Sequence, residues 1–187
     1  MPLTELKRLI ERFKQQKDST PISLPDSNAR ICAIQEVLDS CTSEVHAFIF
    51  FDEHGESELF DAISDEKTSR KISKFLENST LKILTNDTSR MQLLNFVERI
   101  SVESEKRLHI APIPKKLAAQ VTKDTLDNEF LLTSESHLIF FSRYSPVNKE
   151  RLSEVNSFLG LFDIDFHDML LKYFNAVTNR AEAGEFR

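Results

Sequence analysis

Asp52, Glu53 and His54 are the residues whose types could do chemistry together: they follow directly on the apolar run VHAFIFF and precede Gly55. Two carboxylates and an imidazole offer the mixed oxygen and nitrogen donors that suit a divalent cation. Asp87, next to Asn86, stands at the matching end of a later apolar run, LKILT, and completes the candidate set. A metal-dependent hydrolase or nuclease-like enzyme at this loop is therefore one function class to carry forward. The opposing reading needs no ligand, because a strand leaving the core must end in polar residues and Gly55 supplies a turn. Consecutive residues of an extended chain point in different directions and no recognised ligand spacing is present, so the polar strand end is the stronger reading.

Other chemistries leave less trace. The five histidines, His46, His54, His109, His137 and His167, form no HExxH pair and no zinc spacing, and Cys32 and Cys41 cannot form a CxxC. If both cysteines lie on one helix they stand about 13.5 Å apart, beyond disulfide reach, and read as buried thiols. No GxSxG elbow is present. The three glycines, Gly55, Gly160 and Gly184, stand alone, so no phosphate-cradling glycine loop exists. Lys67, Arg70, Lys71 and Lys74 share one helix face and form a weak candidate nucleic-acid stripe. A net charge of -6 opposes a dedicated nucleic-acid binder, and no aromatic residue is interleaved to stack bases.

The elements that must position these residues alternate along the chain. VHAFIFF and LKILT read as strands buried on both faces, and RLHIAPIP as a short strand stopped by proline. Between them, SDEKTSRKISKFLEN starts with a serine cap and presents Ile72, Phe75 and Leu76 on one face, and DTSRMQLLNFVERISVE reads as a further helix. This β-α-β-α-β order predicts a mostly parallel central sheet flanked by helices. NEFLLT and HLIFFS, separated by SES, add an antiparallel hairpin. NKERLSEVNSFL and DFHDMLLKYFNAV read as two closing helices broken at Gly160.

Upstream, Asp26 or Ser27 caps a helix whose buried face uses Ile31, Ile34, Leu38 and Cys41. Residues 1–20 read as an amphipathic helix and linker, 21–178 as the α/β domain and 179–187 as a flexible tail. The first helix carries Leu3, Leu6, Ile10 and Phe13 as an apolar stripe, followed by the proline-containing segment QQKDSTPISLPDSN. A helix detached in this way leaves its stripe in need of a partner surface, so these four residues are the expected contacts with another protein or a second copy. Docking onto its own domain is the alternative. No run approaches the roughly 20 apolar residues of a membrane span, and the charged N-terminus lacks a signal-peptide pattern, so a cytoplasmic protein without membrane insertion is expected.

The order ISLPDSNAR, VHAFIFF, LKILTND, RLHIAPIP, NEFLLTSESHLIFF and FLGLFDIDFHDMLLKYF resembles a single phospholipase D-like domain over residues 22 to 178. It looks most like small bacterial single-domain members that keep the scaffold without its chemistry. Active members carry H-x-K-x4-D across the hairpin: the histidine attacks phosphorus, the lysine holds phosphate oxygens, and two motifs meet at a dimer seam. Here Asp127, Glu129 and Ser134 stand in those places, and a carboxylate in place of the lysine would repel a phosphodiester. No other histidine begins the motif, since Phe48, Glu56, Ala111, Ile139 and Met169 follow two places on. The resemblance thus implies a non-catalytic interaction or assembly module with no catalytic residue of that mechanism and no cofactor.

Overall fold

The computed structural model describes residues 1–91, 97, 102–114, 128–144 and 151–182. Its centre is a seven-stranded sheet in the order β1-β7-β6-β5-β2-β3-β4. The strands are β1 Ile22–Ser23, β2 Glu44–Ile49, β3 Thr80–Thr85, β4 Leu108–Pro112, β5 Asn128–Thr133, β6 His137–Tyr144 and β7 Arg151–Leu161. The helices are α1 Leu3–Gln16, α2 Ser27–Ser40, α3 Glu58–Ser64, α4 Glu66–Phe75, α5 Thr88–Met91, α6 Val102–Glu105 and α7 Ile164–Glu182. The α/β class and the expected hairpin hold: β5 and β6 pair antiparallel, with Phe130 opposite Phe140 and Leu132 opposite Leu138. The proportion of parallel pairing differs from expectation. Among the described residues only β2-β3 and β3-β4 are parallel, whereas the β1-β7, β7-β6, β6-β5 and β5-β2 pairings are antiparallel.

That difference comes from the segment before Gly160, which is a strand rather than a helix. Leu152, Val155 and Phe158 match a helical spacing by coincidence. Pairing with β6 decides the outcome, and Phe158, Leu159 and Leu161 take the alternating positions of β7 opposite Phe140, Ile139 and His137. Gly160 does not break a helix; it lies opposite Leu138, and a Cβ there would come 3.1 Å from Leu138 Cγ. The small residue lets the two strands approach.

The sheet separates two cores. On one face Val45, Ala47, Ile49, Ile83, Leu131 and Ile139 pack under α1 to α4. On the other, Phe48, Leu84, Phe130, Leu132 and Leu138 meet Leu170, Phe174 and Val177 of α7. The first helix does not stand apart: Leu6 and Ile10 are completely buried and Phe13 nearly so, all within the first core. The physical reason is that α1 has a neighbour of its own in α2, to which Lys7 ties it through Glu36 Oε1 at 2.7 Å, while Lys14 donates to the Glu36 carbonyl at 2.9 Å. Leu6, Ile10 and Phe13 are therefore core residues, and the expectation that they contact a partner chain is corrected; Leu3 alone of the four is exposed.

Other boundaries shift locally. Asp26 caps α2 by accepting from Ala29 N at 2.8 Å, as expected. The serine expected to cap the next helix lies at the end of the unanticipated α3, and Asp65 takes the cap of α4, accepting from Lys67 N and Thr68 N. The helix α7 runs through Asn179 to Glu182, so the start of the expected tail is helical. Most of the helix expected over residues 87–103 lies outside the described residues, as does Asp127. Cys32 and Cys41 are buried free thiols. No helix among the described residues is long and apolar enough to cross a membrane.

Candidate functional site

The acidic loop closes on itself. Asp52 Oδ1 accepts from the backbone N–H groups of His54 at 2.8 Å and Glu56 at 2.9 Å, and Gly55 turns the chain at φ 76°. Asn86 clamps the end of β2 from the neighbouring strand, accepting from Phe51 N and donating to Phe51 O, both at 2.8 Å. Asp87 turns the other way: its Oδ1 accepts from the Ser89 hydroxyl and backbone and so starts α5. The Ser89 hydroxyl bond is the main reason the Asp87 carboxyl lies below its usual range. Between the two loops sits Arg90, which donates to Gly55 O at 2.7 Å and to Asp87 Oδ2 at 3.3 Å, with its guanidinium carbon 5.1 Å from the centre of the Phe51 ring. Glu53 and His54 point into solvent, 3.7 Å apart. The structure thus gives Asp52 and Asp87 separate backbone duties, with the Arg90 guanidinium beside Asp87. Among the described residues, no group of three or more histidine, cysteine, aspartate or glutamate side chains is placed to hold a metal ion.

A second polar centre lies beside it, inside the protein. Glu129 is buried on β5. Its Oε1 accepts from the Ser57 hydroxyl and from Phe50 N at 3.2 Å, and its Oε2 from Glu58 N at 3.0 Å and Leu59 N at 3.3 Å. Buried carboxylates persist only where donors replace water, and the first turn of α3 supplies them. Ser57 also caps that turn, accepting from Phe60 N at 2.9 Å. Next to it Glu58 Oε2 meets Arg30 Nη1 at 2.5 Å, and Arg30 Nε donates to Ser157 Oγ at 2.9 Å. The Ser157 hydroxyl in turn donates to Leu24 O at 2.7 Å. This network joins α2, α3, β5, β7 and the lead into α2.

Glu129 is where the resemblance would place a phosphate-binding lysine, and its carboxylate accepts from three backbone N–H groups and the Ser57 hydroxyl. Ser134 lies in the hairpin turn with Glu135, which accepts from Thr42 N and Thr42 Oγ1, each at 2.9 Å. Burial alone would raise the Glu135 carboxyl, but the Thr42, Cys41 and Ser134 bonds outweigh it and bring it down to about 2. Arg30, Ser57 and Glu58 were not singled out in the sequence, because each is an ordinary surface type and only the fold brings them together. A charge inside the apolar strand NEFLLT was the available signal.

Lys67, Arg70, Lys71 and Lys74 all lie on α4, and two of them are paired with carboxylates. Arg70 pairs with Glu66 at 2.5 Å, and Lys71 pairs with Asp39 of α2. Of the histidines, His46, His137 and His167 are buried, and burial lowers His46 and His137 below the ordinary imidazole value, His137 to about 4.

No protein-family model matches the chain, and no curated protein matches it. Solved structures do. TrmBL2, an archaeal chromatin protein with a novel mode of DNA binding, superposes with a TM-score of 0.56 at 14% identity, over 95% of this chain and 60% of its own. This chain therefore spans about 60% of the length of that protein. Nuc from Salmonella typhimurium, a phospholipase D family member, gives a TM-score of 0.46 at 9% identity over 86% of this chain and 93% of its own. NucT from Helicobacter pylori gives 0.48 at 11% identity over 86% and 94%. At 14% identity the likeness to TrmBL2 concerns the fold alone.

Proposed function

We propose that the chain is a non-catalytic phospholipase D-like module that acts by binding a partner protein or a second copy of itself. One observation carries the reading. At the position of the motif lysine, Glu129 is buried and spends its carboxylate on Ser57, Phe50, Glu58 and Leu59. A lysine there grips phosphate by charge, whereas a carboxylate repels it, and the donors around Glu129 are already engaged. With the N-terminal stripe turned inward, the outer edge of α1, where Met1 and Leu3 are exposed, is the part of that helix left for a partner.

The test uses the full tagged chain in its own host. Capture of a protein that survives nuclease treatment and is lost in Leu3→Lys supports the reading. Measurable hydrolysis of a phosphodiester by the purified chain, abolished by Glu129→Gln, overturns it.

A second reading is nucleic-acid contact through α4. Lys67 and Lys74 favour it, because neither makes an ion pair among the described residues. TrmBL2 binds DNA, but the likeness to it concerns fold, so this reading rests on the lysines alone. It expects binding that weakens with salt by about one logarithmic unit of slope per phosphate contact, and a flat response rejects it.

A further inference from the structure

Strand alternation turns His46 toward α7, since its neighbours Val45 and Ala47 pack in the first core. The ring is buried beneath that helix, edge-on to Phe174 with centroids 4.8 Å apart. Charged groups reach it from β2, β3 and α7. On β2 itself, Glu44 Oε2 lies 3.3 Å from His46 Nε2. Lys82, directly opposite on β3, meets the other Glu44 oxygen at 2.5 Å, so that carboxylate already has a cation. On α7, His167 Nε2 lies 2.9 Å from Thr133 O and its Nδ1 3.4 Å from Asp168 Oδ1. Leu132, opposite His46 on β5, brings no charge. A proton on His46 therefore meets the charges of Lys82 and His167 and finds a carboxylate that is already shared. The helix above it is held largely by packing: Leu170, Phe174 and Val177 seat α7 in the second core. Along its Phe166, Met169 and Tyr173 side a cleft of about 280 Å³ remains, where α7 forgoes the contacts of a filled interior.

We propose that α7 is an acid-released cover: protonation of His46 lifts the helix off the sheet while the first core keeps its fold. With α7 seated, burial above all holds His46 below the ordinary imidazole value. Lifting the helix returns the ring to water and to about 6.5. Below about pH 6.5 the open form binds more protons than the closed one, so a fall in pH favours opening. Burying the imidazolium instead would cost its hydration. Separating one helix from the sheet costs less than unfolding the chain, so α7 yields before the sheet does.

The experiment follows hydrogen exchange of the full chain by mass spectrometry at pH 7.5 and pH 5, corrected for the intrinsic pH dependence of amide exchange. Peptides covering α7 are expected to lose about tenfold in protection at pH 5, the linkage of one proton over about one pH unit, while those covering α2 lose clearly less. His46→Phe, which keeps a ring under Phe174, should make α7 protection the same at both pH values. His137→Phe, on the face of the sheet away from α7, should leave the native response in place. Unchanged protection of α7 in the native chain overturns the proposal. Equal losses in α7 and α2 overturn it too, because the chain then opens as a whole, and this comparison decides even where a variant does not fold. A folded His46→Phe variant that keeps the acid loss, or a folded His137→Phe variant that removes it, assigns the response to another group and overturns the proposal as well.

Discussion

The backbone N–H of Glu58 donates to Glu129 Oε2 at 3.0 Å, joining residues 71 positions apart. The bond fixes the start of α3 to the middle of the sheet. With Ser57 on the other carboxylate oxygen and Arg30 on the Glu58 side chain, it makes Glu129 the centre of a structural joint. The Glu129 carboxylate is what holds the strand and the helix start together.

Glu129 variants should therefore fail in stability. Glu129→Gln keeps the shape but faces several donors with an amide that is itself half donor, and should lose about 1–3 kcal/mol. Glu129→Lys buries a cation against N–H groups and should lose about 3–5 kcal/mol or leave the chain unfolded. Urea unfolding followed by circular dichroism measures both. A Glu129→Lys variant as stable as the native chain would show that the joint does not need its carboxylate.

The docking of α1 gives a second expectation. Leu6→Ala and Ile10→Ala each remove a completely buried side chain and should lower stability by about 2–5 kcal/mol. Leu3→Ala, at an exposed position, should stay within about 0.5 kcal/mol. Equal, small effects at all three positions would mean that the helix leaves its groove in solution and frees its stripe for another chain.

Acid should destabilise the fold through His137. Burial, the first cause, with Lys14 nearby, lowers its folded value to about 4, and its Nδ1 has no partner. Unfolded, the imidazole returns to about 6.5 and so binds more protons than the folded form between those values. Stability from this group is therefore intact above about pH 6.5 and falls as the pH drops toward about 4. His46, lowered by burial, acts in the same direction. Glu135 loses its contribution in a lower window, from its ordinary value of 4.5 down to about 2. Urea midpoints at pH 7.5 and pH 5 should differ, and His137→Phe, which keeps the edge contact with Phe162, should reduce the difference. An unchanged slope in that variant would assign the effect to other groups.

Much of this architecture was legible in the chain because local signals agreed with tertiary demand. VHAFIFF, LKILT and the hairpin around SES combine β-forming residues with clear turn chemistry, and Asp26 is a strong cap. What was not legible depended on partners distant in sequence. The stripe Leu6, Ile10 and Phe13 reads the same whether its groove belongs to α2 or to another protein. The spacing of Leu152, Val155 and Phe158 fits a helix until β6 offers a free edge. The polar strand end at Asp52 was read correctly as a turn, whereas the network of Arg30, Ser57, Glu58 and Glu129 exists only after α2, α3, β5 and β7 meet.

The loop after β2 offers a test of how tightly Arg90 is held. Gly55 has a φ of 76°, and a Cβ built there would lie 2.1 Å from Arg90 Nη2 and 2.7 Å from its Cζ. Gly55→Ala therefore carries two penalties: about 1 kcal/mol for the left-handed backbone, and the displacement of a guanidinium that bonds Gly55 O, bonds Asp87 and covers Phe51. Arg90→Ala should cost about 1–2 kcal/mol through those lost contacts. In the double variant the alanine finds the space that Arg90 vacated, so the combined loss should fall short of the sum by about 1 kcal/mol. Measured by urea unfolding across the four proteins, a strictly additive result would mean that Arg90 swings aside without loss. The shortfall would mean that Arg90 is fixed between the two loops, and that the Asp87 carboxylate stands beside a resident cation of the protein itself.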